Sequence, residues 1–109
     1  MSHTVEVRAE AGATLLDDVR PGWWHEVRIE DLNMVDCEDC ILGQLYGWFS
    51  DGFDALRLTA DDVRQLGFDR GDDDPRSVFA DLTAAWRALI LQRREERTRE
   101  NQRTDGRKS

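Results

Sequence analysis

The residues best suited to chemistry are two cysteines at close spacing, Cys37-Glu38-Asp39-Cys40, and a histidine that follows two tryptophans, Trp23-Trp24-His25. Two thiols three residues apart at a helix start could ligate a metal or cycle between dithiol and disulfide. A structural zinc site needs four protein ligands. Beyond Cys37 and Cys40, only His3 and His25 offer ring nitrogens, and a Cys-Cys-His set completed by Asp or Glu would meet that count. Redox work needs a depressed thiol pKa. A helix start lowers it, but Asp36, Glu38 and Asp39 favour the neutral thiol. The alternating strands and helices of a thioredoxin-like fold are also missing from the pattern. The expectation is therefore reduced structural thiols, with Cys40 at least partly buried, and metal binding at Cys37 and Cys40 as the lesser alternative.

Nucleophilic catalysis finds no framework. His25 would need a nucleophile and an orienting carboxylate. The serines, Ser2, Ser50, Ser77 and Ser109, lie in no nucleophile-elbow sequence. The acid clusters Asp17-Asp18, Asp61-Asp62 and Asp72-Asp73-Asp74 lack the spacing of a calcium loop. With Lys108 as its one lysine, the chain has no phosphate loop, and it has no Gly-rich dinucleotide fingerprint. No cofactor and no enzymatic activity are expected.

What remains is surface. Trp23, Trp24, Trp48 and Phe49 are many large aromatics for a small body, and three of the four are expected in the core. Adjacent Trp23 and Trp24 do not point the same way on a helix. One of them, exposed beside acids, is a candidate contact hot spot. The candidate partner-binding residues are therefore Trp23, Trp24, His25, Asp72, Asp73 and Asp74.

The elements that must position these residues read as helices. Val5, Ala9, Gly12, Leu16 and Val19 recur on one helical face, which Pro21-Gly22 ends. A short helix through Trp23-Trp24-His25-Glu26 follows. Residues 27–36 read as an extended segment docked on the core, without a partner strand. A second helix is expected from Asp36–Asp39 to Gly47, with its glycines marking a close neighbour, taken as a helix. Ser50-Asp51-Gly52 reads as a turn, and Phe53, Leu56 and Leu58 as a short helix after it. Thr59-Ala60-Asp61-Asp62 is a capping box with Asp in place of Glu, and Gly67 is its stop. Residues 69–74 form an acidic loop. Asp74 and Pro75 open a last helix whose stripe is Val78, Phe79, Leu82, Ala85, Trp86, Leu89 and Ile90. Beyond Leu91 no large apolar residue occurs.

The chain is thus expected to be mostly α: a compact helical domain over residues 1–91, a long C-terminal helix, and a charged, partly disordered extension over 92–109. Its core should include Leu16, Leu42, Leu45, Phe53, Leu56, Val63, Leu66, Phe79, Leu82, Trp86 and Leu89. With 109 residues and 12.6 kDa there is room for one domain. No apolar run approaches the ~20 residues of a membrane span, and no signal peptide is evident, so a cytoplasmic location is expected. The net charge is −8. It divides into −12 over the first 86 residues and +4 over the last 23. An acidic body argues against direct nucleic-acid binding.

Several of these residues fall into a familiar pattern. Gly12-Ala13, Leu15-Leu16-Asp17, Pro21-Gly22-Trp23, Cys40-Ile41-Leu42-Gly43-Gln44-Leu45-Tyr46-Gly47, Phe68 and Leu82-Thr83-Ala84-Ala85-Trp86 together resemble a family of small uncharacterised proteins of actinobacteria and their phages. The likeness spans roughly residues 11–91, and Cys-x-Leu-Gly-Gln-Leu is its most specific part. It implies an accessory role toward a host factor and no particular activity. A shorter stretch, Leu58–Phe68, is similar to a segment of the sterile-alpha-motif domains, five-helix interaction modules. Their basic, Gly-containing turn is here the acidic 69–74. The function expected is non-enzymatic binding of a host or cellular protein through an acidic surface with exposed aromatics. The alternatives are a DNA mimic that occupies a DNA-binding protein, and a small metal or redox protein built on Cys37 and Cys40. A homodimer through the 78–90 stripe is a further expectation.

Overall fold

The computed structural model describes residues 5–69 and 75–108, with residues 97–108 as backbone alone. Helix α1 spans Val5–Val19, α2 Trp23–Glu26, α3 Ile41–Tyr46, α4 Phe49–Ala55, α5 Ala60–Gln65 and α6 Val78–Lys108. A 3-10 turn at Ile29–Asp31 lies between α2 and α3, and no strand occurs among the described residues. The mostly helical class and the long C-terminal helix are as expected. At 1.5 Å per residue, the 31 residues of α6 reach about 46 Å. The helix runs through Leu91 without a break, so body and extension share one rod.

The core is built around Trp86. Its ring stacks on Phe68 at 5.5 Å and meets Trp23 edge-on at 5.7 Å. Its indole N–H donates to the Gly67 carbonyl at 2.8 Å, so the buried polar atom is satisfied. Leu16, Leu42, Leu45, Val63, Leu82 and Trp86 are buried as expected. Phe53, Leu56, Leu66, Phe79 and Leu89 pack against this centre but stay partly exposed. Ala9, Ala13, Trp23, Val27, Leu32, Met34, Ile41, Phe68 and Ile90 complete the core. Small residues rather than the outer valines bring α1 onto α6. Gly12 lies against Trp86 and the Leu66 carbonyl, whereas Val19 is exposed.

The segment 27–36 is extended at both ends of its 3-10 turn, and its partner is a side chain instead of a strand. The Gln44 amide accepts from the Arg28 N–H at 2.6 Å and donates to the Arg28 and Asp39 carbonyls, each at 3.1 Å. One amide thus satisfies backbone groups that a strand would otherwise pair. Val27, Leu32 and Met34 are free to bury their side chains beneath it.

Three boundaries and one contact differ from expectation. The second helix begins at Ile41 because Asp36 turns its carboxylate back on the Glu38 and Asp39 N–H groups and holds 36–39 as a turn. Gly43 abuts the backbone of Cys37 and Glu38 and not a helix, and Gly47 ends α3 at φ +98°. Ser50-Asp51-Gly52 lies inside α4, where Gly52 is buried against Leu42 and Tyr46. Helix α6 begins at Val78, after tight turns that start at Pro75. The Thr59–Asp62 capping box is present in both directions, and Gly67 follows α5 at φ +74°.

Candidate functional site

The two cysteines have different surroundings. Cys37 is exposed and Cys40 buried, and both are free thiols. The Cys40 sulfur caps α3 by accepting from the Gly43 N–H at 3.2 Å, and the thiol donates to the Cys37 carbonyl at 3.8 Å. Burial pushes the Cys40 thiol up to about 11, against the smaller opposite effect of the Gly43 hydrogen bond. An attacking sulfur acts as the thiolate, the form that burial disfavours at Cys40. Among the described residues, no three His, Cys, Asp or Glu side chains gather as a metal set, so the metal assignment to Cys37 and Cys40 finds no supporting ligands there.

The Trp23-Trp24-His25 patch is divided. Trp23 is fully buried, and its indole N–H donates to Asp17 at 3.0 Å. It is a core residue and leaves the set of contact residues. Adjacent residues on α2 face different ways, which leaves Trp24 half-buried and His25 exposed. The Trp24 and His25 rings lie 3.9 Å apart. Behind them, Arg94 donates to the Trp24 and Val27 carbonyls, and Arg93 bridges to Asp17 at 2.6 Å. The base of the extension is therefore fastened to α1 and α2, two residues past the expected boundary at Leu91. Asp72, Asp73 and Asp74 lie outside the described residues. Trp48, the α4 N-cap, is the exposed tryptophan, at 43%.

The sequence reading missed a cleft where loop 34–37, the start of α4, the 68–69 turn and the start of α6 converge. Its volume is about 120 Å³. Met34, Val35, Phe49, Phe68 and Phe79 supply the apolar lining, and Cys37, Cys40, Asp36 and Asp69 complete it. Three contacts hold this geometry. The Phe49 N–H donates to the Cys37 carbonyl at 2.8 Å. The Thr83 hydroxyl accepts from the Met34 N–H at 3.0 Å and donates to the Phe79 carbonyl at 2.8 Å. The Asp36 carboxylate is engaged on the turn it caps. Val35 remains 43% exposed at the cleft. Among the described residues, no histidine, serine or basic residue lines it.

The apolar stripe of α6 is spent internally: Leu82, Trp86 and Ile90 are buried, and Val78, Phe79, Ala85 and Leu89 pack against the core. The homodimer expected from that stripe finds no support in this packing. No helix among the described residues is long and apolar enough to cross a membrane. Comparison with known proteins finds no matching family model, no matching curated protein and no matching solved structure.

Proposed function

We propose that the chain is a non-enzymatic binding protein that engages a cellular protein through the cleft of Met34, Val35, Phe49 and Phe79. The size and lining of the cleft carry this reading. Sites for small-molecule ligands run about 300–1,000 Å³, whereas a cavity of roughly 150 Å³ takes one benzene ring. A cleft of about 120 Å³ fits one apolar side chain, which is how a protein partner anchors in a hot-spot pocket. The exposed Val35 and the half-buried Phe49 and Phe79 give that anchor apolar walls. The resemblance to small actinobacterial and phage proteins makes a host protein the partner we propose.

Site-specific photo-crosslinking tests the reading. A benzophenone amino acid replaces Val35 in one variant and Val7, exposed on α1 and away from the cleft lining, in another. One partner trapped from position 35 and not from position 7 supports it. Equal trapping at both positions, or none at position 35, refutes it.

A further inference from the structure

We propose that Cys37 and Cys40 form a reversible disulfide that moves one wall of the cleft and so switches partner binding with redox state. What the switch controls rests on the protein-binding reading above; the bond itself does not. Both cysteines line the cleft, and both are free thiols. The Asp36 carbonyl accepts from the Cys40 N–H at 3.0 Å, which closes the backbone between them into one α-type turn. Three residues along such a turn, α-carbons lie about 5 Å apart, inside the roughly 4.4–6.8 Å that a disulfide spans. The Cys40 thiol already points at residue 37, since it donates to the Cys37 carbonyl at 3.8 Å.

Exposure assigns the order of steps. The exposed Cys37, as thiolate, attacks one sulfur of a small external disulfide and releases one thiolate. Buried Cys40 then gives its proton to water and attacks the Cys37 sulfur, which releases the second thiolate. The two protein thiols are oxidised, and the external disulfide is reduced to two thiols; an excess of dithiol reverses both steps. Burial holds down the thiolate fraction of Cys40, but its target is tethered three residues away.

The bond alters the wall. It removes the proton that Cys40 gives to the Cys37 carbonyl, and it engages the sulfur that caps α3 through the Gly43 N–H. The Cys37 and Glu38 backbone is already pressed against Gly43, so the turn can only move outward. The Cys37 carbonyl, which holds the Phe49 N–H, moves with it.

Treatment of the full chain with oxidised glutathione, followed by intact mass, tests the bond. The chain should lose two hydrogens, and dithiothreitol should restore them. Cys40→Ser keeps a helix-capping side chain and should stop at a mixed disulfide on Cys37, while Cys37→Ser should stay unmodified. A parent chain that stays a dithiol, or stops at the mixed disulfide, overturns the proposal. In the oxidised chain the Phe49 amide should exchange with deuterium about fivefold faster, the scale of one weakened hydrogen bond. An unchanged rate overturns the movement of the wall. Partner trapping from position 35 should fall about fivefold on oxidation, as an anchor pocket loses its fit. Equal trapping in both forms overturns the switch and leaves the protein-binding reading standing. No partner in either form refutes that reading and the switch it would control, while mass and Phe49 exchange separately report on the bond.

Discussion

Replacing Gly12 by Ala sets two effects of opposite sign against each other. In an open helix interior the change gains about 1 kcal/mol, because Gly is the poorer helix former. Here a Cβ would collide with the Leu66 carbonyl and lie 2.9 Å from the Trp86 ring. The carbonyl belongs to backbone and Trp86 is wholly buried, so neither is the free end of a flexible chain. Nor does α1 have room to slide, since Gly67 presses on the backbone of Arg8 and Ala9 from the same side. Overpacking of this kind costs about 1–3 kcal/mol and occasionally more. Taking the upper end and subtracting the propensity gain leaves a net loss of about 2 kcal/mol. For a chain of this size that lowers Tm by about 8–10 °C.

The assay is a thermal melt by circular dichroism, with two controls. Ala11→Gly, at the exposed neighbouring position, should lose about 1 kcal/mol from propensity alone. Gly22→Ala, with open space around it but φ +82°, should lose about the same from backbone strain. A Gly12→Ala protein that melts at or above the parent temperature would refute the close approach of α1 to α6.

The remaining predictions concern the clamp, the thiols and one strained turn. Gln44→Ala leaves the Arg28 N–H and two carbonyls without their amide partner and should cost about 1–3 kcal/mol in a denaturant titration. Gln44→Glu retains only the acceptor and should recover part of that loss. Iodoacetamide should label Cys37 in the folded protein and Cys40 only on unfolding, read by peptide mass. Because burial raises the folded Cys40 pKa to about 11 from an ordinary value of 9.0, the stability it contributes is full below pH 9 and lost as pH rises toward 11; Cys40→Ala should flatten that decline. Arg57 sits at φ 54° where α4 ends in a glycine-type turn, with the Leu58 N–H on the Phe53 carbonyl. Arg57→Gly should therefore hold or raise stability, by up to about 1 kcal/mol.

Local signals in the sequence recovered the elements that local physics decides. The capping box at Thr59, the glycine stop at Gly67, the short helix at Trp23 and the stripe of α6 each rest on residues within a few positions of one another. The errors lie where a group outside the periodic pattern intervenes. Asp36 reads as a helix-start acid until its carboxylate is seen holding its own turn. Gly43 announces a close neighbour, but only the fold shows that the neighbour is the Cys37–Glu38 backbone. The segment 27–36 lacks a partner strand because Gln44, sixteen residues beyond Arg28, takes that place. Gly43 and Gln44 both belong to the Cys40–Gly47 stretch, and both act on the backbone that leads into and out of one wall of the cleft. That stretch thus has a structural reason to be distinctive, whatever the protein binds.

The cleft was illegible for the same reason. Its lining comes from four places in the chain, around residues 35, 49, 68 and 79, and each member has an ordinary core explanation where it stands. Phe49 and Phe79 satisfy the apolar face of their own helices, and Val35 reads as one more residue of an extended segment. Only the Thr83 hydroxyl, by holding Met34 against α6, and the Cys37 carbonyl, by holding Phe49, make them one surface. Two of the tryptophans, Trp23 and Trp48, separate for a related reason. Trp23 finds Asp17 for its N–H and Trp86 for its ring, which commits it to the interior. Trp48 begins a helix in an extended conformation and stays in solvent. A residue type and its neighbours in sequence do not separate these outcomes, because the deciding partners lie on other helices. Thr83→Val is the substitution that isolates this link. It keeps the shape of a half-buried β-branched side chain, removes the acceptor for the Met34 N–H, and should cost about 1–2 kcal/mol. If Thr83 holds the wall in place, partner trapping from position 35 weakens while the helical fold, followed by circular dichroism, is unchanged. Unaltered binding in a destabilised protein would mean that the wall stands without it.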